Sequence, residues 1–263
     1  MITTEGRVHN MAKKKKGGNA ASNFAIEQQS MIGPQLNFAS SEAYKLLRTN
    51  LMFSFPAEEK CHVIGVTSTF QGEGKSLTSI NLSYTLAEAK NRVLLIEGDM
   101  RIPNFANRLN LRKSPGLSDL LVGLNSISDA VQRIAFNVPN ASEPVKFDVI
   151  TGGSIPPNPS ELMQSDRMEH LINTLKEFYD IIVLDLPPVT VVTDALLASR
   201  YVSGTAVVVR NERASKRGLS ETMRQLRQVS AKIIGFIYTN ADVTKSKSYS
   251  RYYSKYYKKE YKA

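Results

Sequence analysis

Six stretches of the chain are apolar at almost every position: Val63–Thr67, Val93–Ile96, Phe147–Thr151, Ile181–Asp185, Thr205–Val209 and Ile233–Thr239. None alternates polar and apolar residues with a period of two. A strand with one face in water shows that alternation, whereas a strand covered on both faces reads as a continuous run. Between the runs lie segments with helical spacing: Glu42–Phe53, Ser76–Ala89, Leu117–Leu121, Ser160–Tyr179, Thr193–Ser199 and Lys216–Val229. Ser40 or Ser41 is placed to cap the first of these, whose apolar stripe is Leu46, Leu47 and Met52. Strands alternating with helices predict an α/β fold: a doubly wound, mostly parallel sheet with helices on both faces.

The pattern is confined to residues 39–244. Residues 1–38 hold few large apolar side chains, a lysine run (Lys13 to Lys16) and Gly17-Gly18, and predict a flexible basic segment. Residues 245–263 form a tail with six tyrosines, Tyr249, Tyr252, Tyr253, Tyr256, Tyr257 and Tyr261, set among lysines and arginine. Their irregular spacing gives no common face to bury, so the phenols have no use in a core. The formal charge of +10 follows the same division, with +3 on 1–38, +6 on 245–263 and +1 on the body between them. A nearly neutral body argues against a folded nucleic-acid-binding face. A hydrophobic content of 42% over 263 residues suits one sizeable core. Cys61 is the only cysteine, which excludes an intrachain disulfide and fits a reducing compartment. The opening MITTEGRVHNMAKKKK leads into no apolar stretch, so no secretory signal is expected. The most apolar region, from Ile181 to Ala198, is interrupted by Asp185, Pro187, Pro188 and Asp194, and no membrane-spanning helix is expected. His9, His62 and His170 are too scattered for a metal-binding pattern.

The chemistry is concentrated after the first strand. Val63–Thr67 leads through a glycine-containing loop into a helix, and Gly72-Glu73-Gly74-Lys75-Ser76 has the form of a phosphate-binding loop. Glycines there let backbone amides approach phosphate oxygens, Lys75 is placed to reach the β/γ-phosphates, and the Ser76 hydroxyl suits Mg²⁺. The following Leu77 completes the expected nucleotide-binding set. Thr69 stands where the motif more often has glycine or alanine. Two acidic motifs close later strands. Asp185 ends Ile181–Leu184 and is expected beside the loop, holding Mg²⁺ through water. Glu97 and Asp99, two residues apart, emerge on one side of the second strand.

This combination resembles the bacterial tyrosine kinases (BY-kinases), in particular the stand-alone cytoplasmic type that accompanies capsule or exopolysaccharide synthesis. The resemblance covers about 40–263. It rests on the phosphate loop, the Glu97-Gly98-Asp99-Met100-Arg101 and Asp185-Leu186-Pro187-Pro188 motifs, the tyrosine tail, and Glu42-x-x-Lys45-x-x-Arg48, similar to the family's Glu-x-x-Arg-x-x-Arg oligomerisation helix. The resemblance implies a P-loop NTPase fold of MinD/ParA type and an ATP- and Mg²⁺-dependent protein-tyrosine kinase that autophosphorylates the tail between subunits. Lys75, Glu97, Asp99 and Asp185 are then the catalytic set, and Ser76, Asp99 and Asp185 the metal-binding set. Arg101 and Asn240 are candidate nucleotide contacts, and a structural ion pair is the other reading of Arg101. Glu42, Lys45 and Arg48 would hold a ring-like homo-oligomer. The implied partners are a transmembrane polysaccharide-chain-length adaptor as activator and a tyrosine phosphatase, with no nucleic acid. The implied location is the cytoplasm, at the inner face of the membrane through the adaptor. Two positions depart from the pattern: Glu97 replaces an aspartate, moving its charge by over about 1 Å, and Lys45 replaces an arginine, losing the planar fork.

Two other readings compete. A MinD/ParA-type switch ATPase shares the fold, but its signature loop lysine is Phe70 here. A nucleic-acid or membrane arm would explain basic residues interleaved with aromatics, although the neutral body offers no groove charge to continue it. Lys13–Lys16 reads either as a lipid-attracting run or as a solubilising linker. Fully extended, the 19 residues from Lys245 span at most about 60 Å, enough for a tail to enter a neighbour's site.

Overall fold

The computed structural model describes residues 31–139, 141–211, 213 and 215–240. In chain order the elements are α1 (Phe38–Phe53), β1 (His62–Ser68), α2 (Lys75–Glu88), β2 (Val93–Glu97), α3 (Phe105–Leu109), α4 (Leu117–Val122), α5 (Ile127–Ala130), β3 (Gln132–Phe136), β4 (Val145–Ile150), α6 (Pro159–Gln164), α7 (Asp166–Lys176), β5 (Ile181–Asp185), α8 (Asp194–Ala198), β6 (Gly204–Arg210), α9 (Lys216–Gln228) and β7 (Ile233–Thr239). Among the described residues the strands form one seven-stranded sheet in the order β3-β4-β2-β5-β1-β6-β7. Only the β3–β4 pairing is antiparallel. This is the doubly wound α/β architecture the alternation predicts.

The continuous apolar runs are explained by two cores. Successive strand residues point to opposite faces. Ile64, Leu95, Val183 and Val208 join Leu51 of α1 and Ile80, Leu82 and Leu86 of α2 on one face. Val63, Leu94, Ile96, Ile182, Leu184 and Val207 join Leu171 and Leu175 of α7 and Leu226 of α9 on the other. Each fully buried aliphatic contributes roughly 1.5–3 kcal/mol, so neither face tolerates the polar half of an alternating pattern.

The structure corrects several local expectations. β3 is an additional edge strand whose residues alternate between half-buried and exposed, and its weakly apolar sequence QRIAF gave no continuous run. The helix expected over Ser160–Tyr179 is two helices, because Ser165 adopts an extended conformation and caps α7 with its hydroxyl on Met168 N. α1 starts at Phe38, capped by Asn37 rather than by Ser40 or Ser41. The body also begins before residue 39. Ile32 is buried, Gly33 N donates to Asn81 Oδ1 at 2.9 Å, and Asn81 Nδ2 donates to Met31 O at 2.9 Å. The boundary drawn at 38/39 therefore falls too late. Lys13–Lys16 and the tail lie outside the described residues.

Candidate active site

The order β2-β5-β1 brings the phosphate loop and both acidic motifs to one edge. β5 pairs with β1 on one side and β2 on the other, and Asp185 is the register partner of both Val66 and Glu97. The loop after β1 therefore opens beside the ends of β5 and β2. Residues 119 positions apart in sequence, from Val66 to Asp185, become lateral neighbours.

The loop depends on glycine at two positions: Gly72 has φ +84° and Gly74, which caps α2, has φ +92°. Thr239 Oγ1, at the end of β7, donates to Glu73 O at 2.8 Å. Arg210 Nη1 donates to Gly72 O at 3.1 Å. The fully buried Glu73 accepts from Phe70 N through Oε2 at 2.8 Å, and its Oε1 has no hydrogen-bond partner among the described residues. The loop is thus braced by β6, β7 and its own carboxylate.

Lys75 Nζ lies 3.0 Å from Asp99 Oδ2 and 3.5 Å from Asp185 Oδ2. Burial opposes the ammonium, but the fields of Asp185 and Asp99 outweigh it and hold the Lys75 pKa above its ordinary value. Asp185 accepts from Ser76 Oγ at 2.7 Å and Ser79 Oγ at 2.9 Å. Complete burial raises its pKa, with Lys75 and the two hydroxyls pulling the other way. Ser79 had escaped the motif reading. It lies three residues past Ser76 on the same helix face, a spacing that could have flagged it.

Glu97 points elsewhere. It is 1% exposed; Oε1 accepts from the backbone N–H of Asn104 and, at 2.8 Å, of Phe105, and Oε2 accepts from Gly152 N at 2.7 Å. The extra methylene that distinguishes it from aspartate lets it clasp the start of α3 to the loop after β4. Burial pushes its carboxyl up to about 7, against the pull of the three amides. Arg101, read as a nucleotide contact or a structural pair, forms the pair: its Nε and Nη2 reach Asp194 at 2.8 and 3.1 Å, and Nη2 donates to Ser160 Oγ at 2.8 Å. Leu77 packs its side chain against the core on the α1–α2 face. Asn240 follows Thr239 in a left-handed conformation and is exposed beside the loop.

On α1, Glu42 and Lys45 pair with each other at 2.9 Å, while Arg48 Nη1 donates to Thr85 O of α2 at 2.7 Å. A three-residue pair at this exposure is worth little.

A seven-stranded doubly wound sheet with a braced phosphate loop and two acids at adjacent strand ends defines a P-loop nucleotide-binding protein. A family described as AAA domain matches residues 61–239. Tyrosine-protein kinase CpsD of Streptococcus pneumoniae is 33% identical over 209 residues, 79% of this chain and 87% of that protein. Tyrosine-protein kinase YwqD of Bacillus subtilis is 32% identical over 210 residues, 80% and 85%. The solved kinase domain of Escherichia coli tyrosine kinase ETK superposes with a TM-score of 0.68 at 30% identity, covering 77% of each chain. The chain belongs to the bacterial tyrosine-kinase family of P-loop proteins. Among the described residues no helix is long and apolar enough to cross a membrane.

Proposed function

We propose that this chain is an ATP-dependent protein-tyrosine kinase that phosphorylates the tyrosine cluster of its own tail between subunits and so regulates capsular or exopolysaccharide synthesis. The observation that carries the reading is the closed circuit of Lys75 with Asp99 and Asp185, 3.0 and 3.5 Å away at the mouth of the loop. Each group in it has a natural exchange partner in a metal–triphosphate complex. The ammonium exchanges carboxylates for phosphate oxygens, and the carboxylates, with Ser76, exchange the ammonium for a hard divalent cation. The oxygen-donor set of Ser76, Asp99 and Asp185 fits Mg²⁺, which when bound neutralises charge on the phosphates.

Phosphoryl transfer is loose and dominated by charge, so positioning supplies most of the rate. A tail phenol, a poor nucleophile at its ordinary pKa of about 10, forms the new bond from its oxygen to the γ-phosphorus while the bridging bond to ADP breaks. Its proton passes to a carboxylate. Asp99 suits that role through Oδ2 once Lys75 releases it, its Oδ1 remaining with the backbone N–H of Ile102 at 3.2 Å, whereas both oxygens of Glu97 are engaged by backbone amides. The further readings are that Glu42, Lys45 and Arg48 close a head-to-tail ring, that an adaptor in the membrane recruits and activates the chain, and that a phosphatase resets the tail. A ring built on Glu42 and Lys45 must break their pair within α1.

Incubation with Mg·ATP and the adaptor's cytoplasmic segment, followed by mass mapping of residues 245–263, tests the kinase reading. Phosphate on the tail tyrosines of wild type, absent in Lys75→Met/Asp185→Asn, supports it. Nucleotide hydrolysis with every tail tyrosine unmodified returns the chain to the switch-ATPase class.

A further inference from the structure

Four cations, Arg210, Arg213, Lys216 and Arg217, occupy the end of β6, the loop that follows and the first turn of α9, against one acid, Glu212. Arg213, Lys216 and Arg217 are exposed. Among the described residues none of the four is in an ion pair. The patch is attached to the phosphate loop. Arg210 holds Gly72 O, and the Arg213 guanidinium lies so close that a side chain at Gly72 would meet its Nη1 at 2.9 Å. The Phe70 ring, 38% exposed, rests on Gly218, where a Cβ would come within 2.7 Å of it. The result is a surface of three exposed cations, Arg213, Lys216 and Arg217, in no ion pair among the described residues, with one aromatic face, on the flank of the nucleotide loop and outside the Lys75–Asp99–Asp185 circuit.

The tail departs from the same place. Arg210 and Thr239 are register partners in β6 and β7, and Asn240 is the last residue before the chain continues toward Tyr249. Nine residues span at most about 30 Å, so tail tyrosines can reach the patch of their own subunit. Charge decides whether they dock. Residues 245–263 carry +6 when unmodified and are repelled. Each phosphate adds about −1.5 to −2, so four remove the positive charge and leave the tail between about 0 and −2.

We propose that the phosphorylated tail docks in cis on this patch, its phosphotyrosines held by Arg213, Lys216 and Arg217, and is thereby withdrawn from neighbouring sites. Guanidinium forks are suited to phosphate oxygens, and Phe70 offers a face for a phenyl ring. The proposal rests on the tail tyrosines being the acceptors, as proposed above.

The test separates the two. A labelled synthetic peptide of sequence 245–263, phosphorylated at Tyr249, Tyr252, Tyr253 and Tyr256, is titrated by anisotropy into the unphosphorylated full chain, beside its unmodified counterpart. Chemical phosphorylation makes the result independent of any kinase activity of the chain. The phosphopeptide is expected to bind at least roughly tenfold more tightly than the unmodified one, and to lose at least roughly tenfold in Arg213→Ala/Lys216→Ala/Arg217→Ala. Equal affinities of the two peptides, or no loss in the triple variant, overturn the proposal. Displacement of the phosphopeptide by single-stranded DNA at equal concentration also overturns it and assigns the patch to nucleic acid. On full chain phosphorylated by an added tyrosine kinase and verified by mass, removal of tail phosphate by a phosphatase is expected to be slower in wild type than in the triple variant, at every protein concentration. Matching rates, or protection that appears only at high concentration, sink docking in cis.

Discussion

Replacing Lys75 by methionine removes more than a phosphate ligand. The ammonium sits between Asp99 Oδ2 and Asp185 Oδ2, with side-chain exposures of 10% for Lys75, 11% for Asp99 and 1% for Asp185. Methionine keeps the volume and deletes the charge, so two buried carboxylates are left facing each other. Breaking a buried pair by removing one partner costs about 3–5 kcal/mol. A ceiling comes from proton uptake: an ordinary aspartate lies about three units below pH 7, and protonating it there costs about 4 kcal/mol at 1.36 kcal/mol per unit. Lys75→Met is therefore expected to lose about 3–4 kcal/mol at pH 7. Asp185, whose pKa burial already raises, is the carboxyl expected to take the proton. With its folded pKa raised further in the variant, the loss is fully present above that value and is relieved as pH falls. The deficit against wild type should shrink as pH falls from 7 to 5, by at most about 1.4 kcal/mol per unit. Urea unfolding followed by circular dichroism at both pH values measures it, and Lys75→Met/Asp185→Asn should recover at least half of the loss. A deficit below about 1 kcal/mol at pH 7, or one that does not change by pH 5, would refute the reasoning. It also follows that Lys75→Met alone is a poor inactive control, because a destabilised fold would be confounded with lost chemistry.

Four further outcomes are expected. Glu97→Asp shortens the clasp and loses at least one of its three amide contacts, a loss of about 1–3 kcal/mol in denaturant unfolding, with no gain in tail phosphate by mass mapping. Because burial raises the Glu97 carboxyl from 4.5 to about 7, its contribution to stability is full below 4.5 and is lost as pH rises through about 7; wild type should lose up to about 3 kcal/mol more than Glu97→Gln across that window. Arg101→Lys gives up the fork that spans Asp194 and Ser160, so unfolding should show a loss of about 1–2 kcal/mol while the KM for ATP stays within about twofold. Gly116→Ala places a Cβ 2.4 Å from Gly153 N and Thr151 O, backbone atoms that cannot step aside, and should lower stability by about 3 kcal/mol, read as a fall in the denaturant midpoint.

The tertiary arrangement also shows which elements were legible and why. Strands with both faces buried are legible because their apolar runs are uninterrupted, whereas β3 at the edge is not, because QRIAF is five residues long and forms no continuous apolar run. α3 and α5 have five and four residues, too short for a helical period to register. The phosphate loop was legible because its function depends on backbone conformation over a few consecutive residues. Thr239 and Arg210, which brace the loop, were not, since each acts across a packing contact, and Ser79 offered only its helical spacing from Ser76.

The sequence alone determined the alternation of strand and helix, the place of the phosphate loop, which acids end which strands, and a basic tyrosine tail that no core could use. These follow from local rules: side-chain period, glycine's conformational range and charge density. Only the tertiary structure decided partners. It set Lys75 against Asp99, 24 residues away, and joined Ser76 to Asp185, 109 residues away. It gave Arg101 to Asp194, 93 residues away, and engaged both carboxylate oxygens of Glu97 with three backbone amides. A desolvated charge takes whichever partner the strand order brings within about 3 Å, and strand order is a property of the whole chain.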